Sequence, residues 1–229
     1  MSHEPPALDV EQARQNMVEQ QIRPWEVLDQ SVLDLLRIVR REEFVPPQLR
    51  LLAFADMELP LRIDGVDTGE SMFAPKVEAR LLQELGLRAH EHVLEIGTGS
   101  GYMAALAAHR AQHVLTIEID PRLAAFGAGN LERYGVRNAR VELGDGSRGW
   151  AARAPYDAII VSGGLPVVPP ELLAQLKIGG RMSAIVGEPP VMSAQIVTRL
   201  TESAYDTLRL FETVAKPLVN AWRPPAFRF

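Results

Sequence analysis

Glu95 stands two residues before the first of three glycines at alternate positions, in the run Val93-Leu94-Glu95-Ile96-Gly97-Thr98-Gly99-Ser100-Gly101-Tyr102. Glycine there tolerates φ > 0 and lets a ligand touch the backbone. A dinucleotide loop spaces its glycines G-x-G-x-x-G. Here Tyr102 holds the sixth position and the third glycine comes one residue early, at Gly101. A carboxylate at position 95 would repel a pyrophosphate lying on a helix N-terminus. It suits a ligand with a cationic amine and no phosphate. Glu118 lies about 20 residues beyond Gly97, at the end of a second apolar run, where an acidic side chain receives ribose hydroxyls. Asp145 sits in Gly144-Asp145-Gly146, after a third run. There it can close a tight turn onto its own backbone, meet a ligand, or do both.

The elements that must position these residues follow from periodicity. His92–Ile96 reads as a buried strand, with an Ala/Leu-rich helix from Met103 to His109 after the glycines. His113–Glu118 is a second strand. Pro121–Tyr134 is a helix with proline in its first turn, and Ala139–Leu143 a third strand. Asp157–Val161 is a continuous apolar run, as expected of a strand covered on both faces. A helix over 169–176, a turn over 177–181 and a strand over 182–186 come next. Two strands, 195–200 and 208–214, end the pattern. Upstream, helices are expected over 9–22, 29–39 and 76–87, with a helical turn over 48–54. Residues 61–75, with two glycines, two aspartates and a terminal proline, read as a long loop, and such loops are often functional. The charged cluster 40–43 reads as a solvated helix end. The tail 216–229 is expected either to seal an edge or to dock on the cleft.

Composition narrows the function classes. The chain has 229 residues, 47% hydrophobic and 23% charged, as in ordinary globular domains. Net charge is −5 with no basic block, which speaks against a nucleic-acid partner. There is no cysteine, so disulfides, thiolate catalysis and Cys-ligated zinc are excluded. The five histidines lack metal-ligand spacing, so no metal is expected. No apolar run approaches the ~20 residues of a membrane helix, and the polar start, residues 1–9, does not read as a signal peptide. A cytoplasmic protein is expected, with the monomer favoured.

The spacing E-x-G-x-G-x-G resembles the first motif of class I S-adenosylmethionine-dependent methyltransferases. The stretch VLDLLRIVRREEFVPPQLRLLAFADMELPL, the Gly144-Asp145-Gly146 turn followed by Gly149-Trp150, and PPELLAQLKIGGRM resemble the protein-L-isoaspartate O-methyltransferase family. The resemblance implies an α/β, Rossmann-like fold. It would have a mostly parallel seven-stranded sheet, helices on both faces and an N-terminal helical extension. It divides the chain into a cap with an active-site loop, 1–75, and a cofactor-binding unit, 76–229. The implied cofactor is S-adenosyl-L-methionine, leaving as S-adenosyl-L-homocysteine, held by Glu95, Gly97, Thr98, Gly99, Ser100, Gly101, Glu118, Ile119, Asp145 and Gly146. Asp145 would accept from the adenine amino group. The implied substrate is an isoaspartyl residue of an aged protein, esterified on its α-carboxyl. The family's Thr-Ile-Ser-x-Pro motif aligns with Ser71-Met72-Phe73-Ala74-Pro75. Ser71 keeps the first hydroxyl and is the implied catalytic residue. Phe73 replaces the serine and cannot donate a hydrogen bond. That departure leaves two other readings open: a different carboxylate or small-molecule acceptor, or cofactor binding without catalysis. A dinucleotide oxidoreductase is disfavoured by Glu95 and Tyr102.

Overall fold

The computed structural model describes residues 9–223. Helix α1 (Val10–Asn16) begins at Asp9, whose side chain accepts from the Gln12 N–H, and runs on through a π-helical turn, Met17–Ile22. Helix α2 (Gln30–Ile38) is capped by Asp29 and buries Val32, Leu33, Leu35 and Leu36. Each such side chain contributes about 1.5–3 kcal/mol when fully buried. Tight 3-10 turns follow at Arg41–Glu43 and Pro47–Leu52.

The expected loop over 61–75 is a hairpin instead. Strand β1 (Leu59–Ile63) pairs antiparallel with β2 (Val66–Met72), Ile63 opposite Val66. Asp64 and Gly65 form the two-residue turn, both at positive φ (51° and 80°). Asp-Gly between apolar flanks is the preferred chemistry for that turn. The glycine and aspartate content that suggested a loop was the hairpin's own signal.

Helix α3 (Pro75–Leu85) stops at Gly86, which is left-handed. The remaining elements alternate: β3 (His92–Ile96), α4 (Tyr102–Ala108), β4 (His113–Glu118), α5 (Pro121–Tyr134), β5 (Ala139–Leu143), β6 (Tyr156–Leu165), α6 (Pro170–Ala174), β7 (Leu176–Glu188), β8 (Val191–Arg199) and β9 (Tyr205–Glu212). The seven strands order as β5-β4-β3-β6-β7-β8-β9. Pairs among the first five are parallel, whereas β7–β8 and β8–β9 are antiparallel. The expected turn over 177–181 lies inside β7, with Gly179 at φ +80° and the pairing with β6 shifted there.

Side chains alternate across this sheet. Val93, Val114, Ala158 and Ile160 pack with α4, α5 and the N-terminal helices. Leu94, Ile96, Ile117, Ile159 and Val161 pack on the other face with Leu172 of α6 and Trp150. Helices therefore cover both faces, as expected. The N-terminal helices share one apolar core with the sheet.

Candidate functional site

The chain leaves β3 toward β4 on one side, and β6 returns on the other. That reversal opens a crevice beyond the carboxyl ends of β3 and β6, the usual ligand position in open α/β sheets. The crevice holds about 260 Å³. The β3–α4 turn forms its floor. Gly97, Gly99 and Gly101 all lie at positive φ (93°, 51° and 81°). A Cβ on Gly97 would stand 2.9 Å from the Ser162 carbonyl oxygen, so the loop passes too close to β6 for any other residue. Gly127, inside α5, lets the loop approach from the other side: a Cβ there would meet Thr98 Cγ2 at 2.6 Å.

Thr98 and Ser100 line the crevice, but their side chains serve the loop itself. Thr98 Oγ1 bonds Thr116 Oγ1 at 2.7 Å, and Ser100 Oγ accepts from the Tyr102 N–H at 3.3 Å. Asn130 Nδ2 donates to the Ser100 carbonyl at 2.9 Å and to that of Phe44 at 3.2 Å, tying loop, helix and cap together.

Three carboxylates behave differently. Glu95 is 0% exposed. Its Oε1 accepts from Ser162 Oγ at 2.9 Å, and its Oε2 has no partner. Burial, helped by repulsion from Glu78 and Glu118, pushes its carboxyl up to about 8. Glu118 is saturated on one side: Oε1 accepts from the N–H groups of Ile119 (2.9 Å) and Asp120 (3.0 Å), and Oε2 from Gly99 (2.9 Å). A carboxylate offers about four acceptor sites, so one remains on Oε2. Asp145 does close its own turn, accepting from the Ser147 N–H at 2.9 Å, while its second oxygen accepts from Asn220 Nδ2 at 2.9 Å. Burial raises this carboxyl, but the bonds from Ser147 and Asn220 outweigh it and hold Asp145 below the usual range. Ile119 and Gly146 also line the crevice, and Gly146 has no room for a side chain beside Ile96.

The wall opposite is β2. Ser71 is exposed and donates to Glu58 Oε2 at 3.3 Å. Phe73 is partly buried and packs against the apolar cluster that holds Ala74, Val77, Ile185 and Ala215. Its carbonyl accepts from Arg41 Nη2 at 2.7 Å. The cluster 40–43 is thus no solvated helix end. Arg41 is 0% exposed and pairs with Glu78 on α3, while buried Glu42 pairs with Arg14 on α1. Burial raises the Glu78 carboxyl against the pull of Arg41. The tail docks on the crevice as far as it is described; residues 224–229 lie outside the described residues, as does most of the polar start, 1–8.

A model of the Protein-L-isoaspartate(D-aspartate) O-methyltransferase family matches residues 12–219. The chain belongs to this family. Its members are S-adenosylmethionine-dependent O-methyltransferases that act on isoaspartyl-containing proteins. Protein-L-isoaspartate O-methyltransferase 1 of Rhodopseudomonas palustris (strain HaA2) is 44% identical over 86% of this chain and 77% of its own length. Protein-L-isoaspartate O-methyltransferase 2 of Marinobacter nauticus is 39% identical over 93% and 95%. A solved protein-L-isoaspartate O-methyltransferase superposes with a TM-score of 0.76 at 25% identity, over 90% of this chain and 66% of that one. A Plasmodium falciparum structure, solved with S-adenosyl-L-homocysteine, shares the fold with a TM-score of 0.76 at 18% identity, over 90% and 98%.

Several residues of this family member's crevice carried no sequence signal of their own. Ser162, Glu78 and Lys216 come from distant elements. Gly127 had only an ambiguous one: a glycine inside a helix often has a packing reason, but Gly129 of the same helix has none. Among the described residues no cluster of metal-ligating side chains occurs, and no helix is long and apolar enough to cross a membrane.

Proposed function

We propose that this chain transfers a methyl group from S-adenosyl-L-methionine to the α-carboxylate of isoaspartyl residues in damaged proteins. The observation that carries the reading is Glu95, a wholly buried carboxylate with an unpartnered oxygen beside the glycine turn. Leaving such a group unpaired is unfavourable, and a ligand bringing a cationic amine relieves it. Relatives of that activity's name, similar over most of the chain, support the acceptor.

Bound S-adenosylmethionine supplies a methyl group already activated on a sulfonium. Glu95 holds the cationic amino end. Gly97, Thr98, Gly99, Ser100 and Gly101 form the turn that lets the ligand reach backbone. Glu118 offers its remaining lone pair to a ribose hydroxyl. Ile119 and Gly146 flank the base, and Asp145 accepts from its exocyclic amine. Ser71 orients the acceptor carboxylate once its hydroxyl, which donates to Glu58 in the ligand-free chain, turns to the acceptor. That acceptor is ionised at pH 7, since unperturbed carboxyls titrate near 4, so the site needs no general base. Positioning and exclusion of water are what the residues contribute. We assign residues up to 75 to the cap with its active-site loop, and 76 onward to the cofactor-binding unit, whose tail reaches back to β2 through Lys216. We further read the protein as a cytoplasmic monomer without a nucleic-acid partner, in keeping with its net charge of −5.

The test is radiolabelled methyl transfer to an isoaspartyl peptide beside its normal aspartyl control. Base-labile label on the first alone is expected. Label on neither, with S-adenosylhomocysteine bound, overturns this acceptor and leaves the two other readings, a different acceptor shaped by Phe73 or cofactor binding without catalysis.

A further inference from the structure

Among the described residues the crevice is lined by seven acidic side chains, Glu58, Glu70, Glu78, Glu95, Glu118, Asp120 and Asp145, and by one basic side chain, Lys216. Burial raises the carboxyls of Glu95 and Glu78, and Arg41 pairs with Glu78, but the others set an acidic lining against a carboxylate acceptor, and Lys216 is the side chain there that attracts one. The geometry points to Lys216 as the residue that binds the acceptor carboxylate, an inference that rests on the acceptor proposed above.

Three observations place the ammonium for that task. The backbone of Lys216 is pinned to the end of β6: its carbonyl accepts from the Gly164 N–H at 2.8 Å, and the Leu218 N–H donates to Gly164 at 2.9 Å. This lies beside β3, on the opposite side of it from Glu118 and Asp145, which stand at the ends of β4 and β5. Second, Nζ reaches across to β2, donating to the Gly69 carbonyl at 2.8 Å and to Glu70 Oε1 at 2.7 Å, next to Ser71. An ammonium has three N–H donors, so one remains for a ligand. Third, the hydroxyls of β2 that line the crevice are committed. Thr68 Oγ1 donates to the Leu61 carbonyl at 2.7 Å, and Ser71 Oγ donates to Glu58. Phe73 brings no side-chain donor. Lys216 therefore holds an unspent side-chain proton on the acceptor side, and with 54% of its side chain exposed it stands where a peptide can reach it.

The experiment compares Lys216→Met, Lys216→Arg and Glu70→Gln with wild type, using initial rates on an isoaspartyl peptide and calorimetry with S-adenosylhomocysteine. Lys216→Met is expected to raise KM for the peptide about tenfold or more, the loss of one charge-assisted hydrogen bond. Its kcat and its affinity for S-adenosylhomocysteine stay close to wild type. Lys216→Arg keeps most of the wild-type KM, and Glu70→Gln, which frees the ammonium, does not raise it. An unchanged KM in Lys216→Met overturns the inference. So does an equal rise in Glu70→Gln, because the ion pair as a brace would then be the cause. If wild type binds S-adenosylhomocysteine but leaves the peptide unmethylated, the acceptor reading itself fails and takes this inference with it.

Discussion

Replacing Glu95 by glutamine should stabilise the ligand-free protein and weaken its hold on the cofactor. The Glu95 carboxyl sits near 8 in the fold, against a reference of 4.5, because burial penalises its charge. A carboxyl raised by folding contributes stability that is complete below the unfolded value and is lost as pH rises through the folded one. The window is therefore pH 4.5 to about 8. At about 1.4 kcal/mol per pH unit, wild type loses roughly 3 kcal/mol of unfolding free energy between pH 5 and pH 7.5 through this group. For a domain of this size ~1 kcal/mol moves Tm by about 2–4 °C, so the fall approaches 10 °C. Glutamine has no charge to desolvate, and Glu95→Gln should show a correspondingly flatter Tm profile. The same change removes the carboxylate that a cationic amine would neutralise. Affinity for S-adenosylhomocysteine, measured by calorimetry at pH 8, should fall by about tenfold or more, as for a lost charge-assisted bond. Two outcomes would refute the reasoning. One is Tm profiles that run parallel from pH 5 to pH 8. The other is full affinity in the variant, which would remove Glu95 from the cofactor's contacts.

Two glycines of α5 make a matched pair. Gly127→Ala puts a Cβ against Thr98 and should cost about 1–3 kcal/mol in urea unfolding, with affinity for S-adenosylhomocysteine reduced as the loop shifts. Gly129→Ala meets nothing within 4 Å and should be neutral or gain up to ~1 kcal/mol; equal effects of the two would contradict the loop-packing account. Arg41→Met leaves the buried Glu78 carboxylate unpaired and should cost about 3–5 kcal/mol. The Arg41→Met, Glu78→Met double variant should recover more than half of that loss; strictly additive losses would show that the pair does not act as a unit.

The alternation of apolar runs with helical patterns made the parallel sheet legible, because a strand covered on both faces must be apolar throughout, as Asp157–Val161 is beyond its first residue. The cofactor side was legible for a related reason. Glu95, the glycine turn and Glu118 lie on consecutive elements, and a turn that tight demands glycine wherever the backbone turns left-handed. The hairpin over 59–72 was also written in the chain, in Asp64-Gly65, but composition alone concealed it. Local chemistry of this kind needs no knowledge of distant neighbours.

What tertiary structure decided is everything that depends on residues far apart in the chain. The 40–43 cluster looks solvated until α1 and α3 bring Arg14 and Glu78 to its charges. Asp145 looks free until the tail supplies Asn220. The charge state of Glu95 depends on walls contributed by β6 and β4, since desolvation is a property of the assembled interior and not of the side chain. Lys216 is a surface lysine by sequence, and becomes the one cation that the described residues bring to an acidic crevice because Gly164 and β2 hold it there. Short-range backbone geometry is encoded residue by residue, whereas electric fields and burial exist only once the chain has closed on itself.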